Sequence, residues 1–211
     1  MAYTYLLYDD FYWDFVMSLG RPLQHHPETA LKAAVQAFWR SGYHHTSMRD
    51  LLDAMQLSRS SLYQAYGNKE ALFLLALTRY REELLATLSA TLDQETTAWQ
   101  FIEHLLLRTA KQAESEQAAL GCLIFNSATE LGNSGSSVSD AAVQSVQAIT
   151  QFFVKVIEQA QQEGSISLAR DAQSSAYFLT LSMSGLRMLL KSGASQRQAE
   201  QLVGNILRGL R

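Results

Sequence analysis

The sequence predicts an all-α protein in which a small helical unit precedes a larger one, and three observations carry that expectation. Of 211 residues, 47% are hydrophobic and 18% charged, enough for one sizeable core or for a small domain fused to a larger one. The only prolines are Pro22 and Pro27, so the long remainder of the chain holds none to interrupt a helix. Apolar residues recur at three- and four-residue spacing, with no internal repeat and no long strand-like alternation.

The elements follow in order. Ala30, Leu31, Ala34, Val35, Ala37 and Phe38 fall at helical spacing behind Pro27, which suits a first turn, and Gly42 suits the stop. Ser47 with Asp50 three residues on is a capping arrangement for a short helix ending near Met55. Ser58 then caps a third helix from Arg59 to about Tyr66, and Gly67-Asn68 ends it before a long amphipathic run from Lys69 to Leu92. Further helices are expected at roughly 97–114, 120–132, 137–163, 172–191 and 195–210, nine in all, separated by turns such as Gly132-Asn133-Ser134-Gly135 and Gly164-Ser165. The expected divisions are an N-terminal extension over 1–24, a helix-turn-helix unit over 25–70, and a second unit over 71–211.

The net charge of −3 hides its distribution. Residues 1–16 carry three aspartates and no base, 17–69 carry six Lys or Arg against three acids, and 70–211 carry eleven against fourteen. The one basic stretch therefore coincides with the three short helices, where a polyanionic partner would be met. Cys122, the single cysteine, excludes an intramolecular disulfide, and no Cys/His spacing resembles a zinc site. A reducing cytoplasm fits. The apolar opening has neither a basic n-region nor a small-residue cleavage signature, so it reads as neither a signal peptide nor a membrane span.

Two short helices joined by a tight turn let the second enter a DNA major groove. In Ser47 to Tyr66, Leu51, Leu52, Met55, Leu57 and Leu62 would form a small core, leaving Arg59, Ser60, Ser61, Tyr63 and Gln64 for the groove. Arg reads guanine bidentately and Gln reads adenine, while Ser and Tyr hydroxyls hold phosphates. Lys69 stands where a helix N-terminus can gather a phosphate.

Gly42-Tyr43, Thr46-Ser47-Met48-Arg49-Asp50-Leu51, then Ser58-Arg59-Ser60-Ser61-Leu62-Tyr63 with Tyr66 and Lys69-Glu70-Ala71-Leu72-Phe73 resemble the DNA-binding signature of the TetR/AcrR family over about fifty residues. The resemblance implies that Arg49, Arg59, Ser60, Ser61, Tyr63, Gln64 and Lys69 lie at or near DNA and that Phe38 and Leu62 are core. Two residues depart from the pattern. Gln56 stands in the inter-helix turn where glycine is usual, implying either a turn without positive φ or local strain, and Ala65 replaces a larger residue. Gly121-Cys122-Leu123 with Glu130, and Gly185-Leu186-Arg187 with Gly193-Ala194-Ser195, resemble an AcrR-like branch more loosely.

The resemblance implies a homodimeric repressor that binds a pseudo-palindromic double-stranded operator and is released by a small-molecule effector. Helices near 172–191 and 195–210 would pair across the two-fold, with Ser182, Ser184 and Gly185 permitting close approach. Trp99, Phe125, Phe152 and Met183 are the candidate lining of an effector pocket, with ordinary core as the alternative. No cofactor, metal or membrane partner is implied. The pairs His25-His26 and His44-His45 do not each share a helix face, so solvent or phosphate contact is expected of them. No nucleophile–base set, paired carboxylates or phosphate-binding glycine loop supports an enzyme. Two other readings stay beside this one: a redox or electrophile sensor switched through Cys122, and a helical interaction module without DNA binding. For residues 1–16 two readings also stay open: translation begins at Met17, or the acidic stretch is real and opposes DNA binding beside Arg21.

Overall fold

The computed structural model describes residues 27–132 and 134–211, so the expected N-terminal extension, with Arg21 and the pair His25-His26, lies outside the described residues. Among the described residues the regular elements are all helices: α1 Pro27–His45, α2 Met48–Met55, α3 Arg59–Tyr66, α4 Lys69–Leu92, α5 Ala98–Lys111, α6 Glu116–Leu120, α7 Leu123–Leu131, α8 Ser137–Gln162, α9 Ala172–Lys191 and α10 Gln196–Leu210. The expected helices are present, joined by the short α6. A helix was expected to run from 120 to 132, but Gly121 takes φ +71° and separates α6 from α7. Cys122 consequently sits at the N-cap of α7, not within it.

Capping explains the short helices. Ser47 accepts from the Asp50 amide at 3.1 Å and the Asp50 carboxylate accepts from the Ser47 amide at 2.8 Å, closing a capping box. The Ser47 hydroxyl, which donates to that carboxylate at 2.7 Å, and then the Ser47 amide hold the Asp50 carboxyl below its usual pKa. Ser58 accepts from the Ser61 amide at 3.1 Å, and Asn68 from the Ala71 amide at 2.8 Å. Between α2 and α3, Gln56 takes φ 55°, ψ 37°, the one positive φ at a non-glycine among the described residues. The strained alternative is therefore the one realised. Its side-chain amide offsets part of the strain by donating to the Asp53 carbonyl at 2.6 Å.

The front unit closes on Phe38, Leu51, Leu62, Leu72 and Phe73, all fully buried, with Phe38 and Phe73 edge to face at 5.0 Å. Each such side chain contributes roughly 1.5–3 kcal/mol by leaving water. Helix α4 begins against α1 and continues onto α8, so one rigid element passes from the front core into the rear one. There Phe101, Ile102, Leu106, Phe153, Val156 and Ile157 are buried. Along α9, Tyr177, Phe178, Leu181 and Met188 remain exposed at spacings that place them on one face. On α10 the large apolar residues turn inward: Val203, Ile206 and Leu210 are buried, and Gly209 gives way to the Phe178 ring, 2.8 Å from where a Cβ would stand.

Candidate nucleic-acid interface and the cavity behind it

Helix α3 presents its polar side as its sequence spacing requires. Leu62 is buried, whereas Arg59, Ser60, Tyr63 and Gln64 are exposed and Ser61 is half-buried. The Ser60 and Ser61 hydroxyls each lie 2.9 Å from the Ser58 hydroxyl, which fixes the first turn. Arg59 has no ion pair among the described residues, and Arg49 on α2 touches Asp53 only at 3.8 Å with both side chains in solvent, a contact of little energetic weight. Both guanidiniums are available to an anionic partner.

Lys69 is less free than its position suggested. Its Nζ donates to the His44 carbonyl at 3.3 Å and lies 4.7 Å from the centre of the Tyr43 ring. It therefore ties the start of α4 to the end of α1.

That end of α1 is held from the other side as well. Gly42 breaks the helix with φ 77°, ψ 176°, a conformation open essentially to glycine alone, and turns the next two amides outward. The Glu130 carboxylate on α7 accepts both, from Tyr43 at 2.9 Å and from His44 at 2.7 Å. A Cβ on Gly42 would lie 2.5 Å from Glu130 Oε2, so the close approach and the dihedrals both require glycine. Glu130 thereby clasps the front unit to the rear one. A second tie joins the Ser137 hydroxyl to the Glu70 carboxylate.

Beside the clasp lies a cavity of about 420 Å³, lined by Arg40, Ser41 and Gly42 of α1, by Cys122, Phe125, Asn126, Thr129 and Glu130 at α7, and by Ser184, Arg187, Met188 and Lys191 of α9. Its volume lies within the usual range for small-molecule sites. Next to Cys122, Tyr80 is largely buried, its hydroxyl directed at Sγ at 3.8 Å. Burial raises the Tyr80 pKa first, Cys122 adds to the rise, and Arg187 opposes it.

Of the four residues expected around an effector pocket, only Phe125 lines this cavity. Trp99 packs beneath the Arg211 guanidinium at 4.3 Å, Phe152 meets Phe101 and Phe153, and Met183 is buried on the inner side of α9. Apolar character marked residues that fill the core, while most of the residue types around the cavity are polar or cationic, which an apolar pattern does not reveal. Nothing in the sequence assigns Arg187 or Lys191 to a site, and Gly42 and Glu130 enter it only as residues of the family resemblance, with no spacing that pairs them. His44 and His45 are exposed, and no group of three or more His, Cys, Asp or Glu able to hold a metal occurs among the described residues. No helix of the described residues is long and apolar enough to cross a membrane.

Comparison with known proteins agrees with this architecture at both ends. The model for bacterial regulatory proteins of the tetR family matches residues 30–76, and that for the tetracyclin repressor-like C-terminal domain matches residues 98–204. The HTH-type transcriptional repressor ComR of Escherichia coli (strain K12) is 29% identical over 196 residues, which cover 90% of this chain and 91% of ComR. A cysteine mutant of the TetR family transcriptional regulator CifR, complexed with 26-base-pair double-strand operator DNA, superimposes with a TM-score of 0.81 at 26% identity, covering 91% of this chain and all of that one. The reduced form of E. coli NemR, at 17% identity and a TM-score of 0.74 over 87% of this chain and 94% of that one, shares the fold.

Proposed function

Because the chain belongs to the TetR family of bacterial regulatory proteins, we propose that it is a homodimeric transcriptional repressor that binds a double-stranded operator and leaves it when a small-molecule effector binds. The observation that carries this reading is the exposed polar face of α3 above a fully buried Leu62, inside the stretch that matches the family's DNA-binding domain. In this reading Arg59 and Gln64 meet base edges, Arg49, Ser60, Ser61 and Tyr63 meet the backbone, and Lys69 meets a phosphate at the start of α4. The exposed stripe Tyr177, Phe178, Leu181 and Met188 is the natural seam of the dimer, since an apolar row of that kind is unfavourable in water. Two-fold symmetry then sets two copies of α3 on successive major grooves of a pseudo-palindrome.

The reading gives the protein a regulatory and not a catalytic role, in the cytoplasm where its operator resides. The effector site is the junction cavity, with Phe125 as one apolar wall. Selection of genomic fragments by the full-length protein, followed by gel shifts over a range of salt concentrations, tests the central claim. The expected result is one enriched pseudo-palindromic sequence whose affinity falls steeply with salt. Uniform recovery of all fragments, or no shift of the enriched one, would overturn it.

A further inference from the structure

We propose that the junction cavity binds a small organic anion with an apolar body, seated on Arg187 and Lys191, and that its charge loosens the Glu130 clasp on the DNA-binding unit. This rests on the reading of the chain as an effector-controlled regulator, and it adds the chemical class of the effector and the contact on which it acts.

Charge inside the cavity is the first argument. Arg40, Arg187 and Lys191 line it against the single carboxylate of Glu130. None of the three makes an ion pair with a carboxylate among the described residues. Arg40 and Lys191 are exposed, but Arg187 is half-buried, and a partly desolvated guanidinium without a counter-ion favours an incoming anion.

Spent donors supply the second argument. Thr129 donates its hydroxyl to the Phe125 carbonyl at 2.9 Å, and the Asn126 amide donates to the Leu120 carbonyl at 2.7 Å. A neutral polar ligand would find those two groups engaged and only the Ser41 and Ser184 hydroxyls beside them, whereas three cationic groups face the same space. Phe125, with Cys122 between the helices, offers the apolar surface for the ligand's body.

The clasp supplies the consequence. Each oxygen of Glu130 accepts one amide of the Tyr43-His44 turn, and the carboxylate borders the same cavity. A second negative charge brought into that space repels the first, and withdrawal of Glu130 releases the end of α1 from α7. By linkage, an anion that prefers the released state weakens operator binding by the factor that operator weakens its own.

Octanoate, with 1-octanol as its uncharged counterpart, probes this in the full-length dimer. Calorimetry should give octanoate an affinity about tenfold or more above that of octanol, and the double variant Arg187→Gln with Lys191→Gln should lose about that factor for octanoate alone. The charge-keeping pair Arg187→Lys with Lys191→Arg should retain binding, which separates lost charge from lost folding. Bound octanoate should speed hydrogen exchange at the Tyr43 and His44 amides and weaken operator binding by about fivefold or more. Equal binding of acid and alcohol, indifference to the charge-removing pair, or unchanged exchange at Tyr43 and His44 overturns the proposal. Failure of the protein to bind operator in the absence of any probe refutes the regulatory reading instead, and leaves the calorimetric comparison to be judged by itself.

Discussion

In the front unit the starts of α2, α3 and α4 are satisfied from within: Ser47 serves Asp50, Ser58 serves Ser61 and Asn68 serves Ala71, each three residues away. At the junction the same kind of backbone amide, on Tyr43 and His44, is served by a carboxylate 87 and 86 residues distant. The chemistry is alike in both places, a side-chain oxygen on an orphaned N–H, but only the first can be read along the chain. Local capping fixes what the DNA-facing helices are. The distant carboxylate fixes where they stand relative to the rear unit. A regulator can alter the second without melting the first.

The largest expected effects come from breaking the distant contact. Glu130→Ala removes two hydrogen bonds to a charged acceptor at a half-buried site and should cost about 2–4 kcal/mol of unfolding free energy. Glu130→Gln, which keeps one acceptor oxygen, should cost less. Gly42→Ala should cost roughly 3 kcal/mol, from positive-φ strain together with displacement of the Glu130 carboxylate. Because both changes act on one contact, they should not add: in the Glu130→Ala background Gly42→Ala should cost about 1 kcal/mol less than in the parent protein. Strict additivity in urea titrations would show the two residues to be independent and dissolve the contrast between local and distant capping.

Changes at the recognition surface should leave stability almost untouched and separate by sequence dependence. Arg59→Ala is expected to cost about 1–3 kcal/mol of operator affinity at one base position, with relaxed preference there. Lys69→Ala should weaken all sequences alike and flatten the salt dependence by about one unit. Since Lys69 also holds the His44 carbonyl and the Tyr43 ring, it should additionally speed amide exchange in that turn, which Arg59→Ala should not. A panel of operator variants titrated at several salt concentrations distinguishes them, and equal losses on every variant would remove Arg59 from base reading.

Cys122 belongs to the distant class. It is 3% exposed, so truncation to Ala should cost roughly 1 kcal/mol as lost packing. The response to effector should survive. A Cys122→Ala protein that folds but no longer leaves its operator would move control from the clasp to the thiol.

The division of legible from illegible follows the same line. The short helices, their caps and the buried Phe38 and Leu62 were readable because a cap or a 3.6-residue period is a property of a few adjacent residues. The break at Gly121 was missed because the apolar run through Leu123, Ile124 and Phe125 continues past it, and periodicity does not register one residue with positive φ. Trp99, Phe152 and Met183 read equally as pocket or as core, because large apolar side chains serve both. Arg187 and Lys191 become a site only when α9 is laid beside α7. No sequence spacing encodes that juxtaposition.

The smallest effect sharpens the comparison from the local side, at Gln56. Its αL conformation costs a non-glycine residue about 1 kcal/mol, offset in part by the solvent-exposed hydrogen bond from its side chain to the Asp53 carbonyl at 2.6 Å. Gln56→Gly removes both the strain and the bond, so the net gain should be about 0.5 kcal/mol, a rise in melting temperature of roughly 1–2 °C for a chain of this size. Gln56→Ala keeps the strain and loses the bond, and should be destabilised by about 0.5 kcal/mol. Operator affinity should stay within about twofold in both, because the exposed face of α3 is set by Ser58 and Leu62 and not by the turn. Opposite signs for glycine and alanine are the signature of backbone strain at this position. If both variants melt below the parent, the side-chain bond outweighs the strain, and Gln56 is then a working replacement for the glycine that the turn would otherwise take.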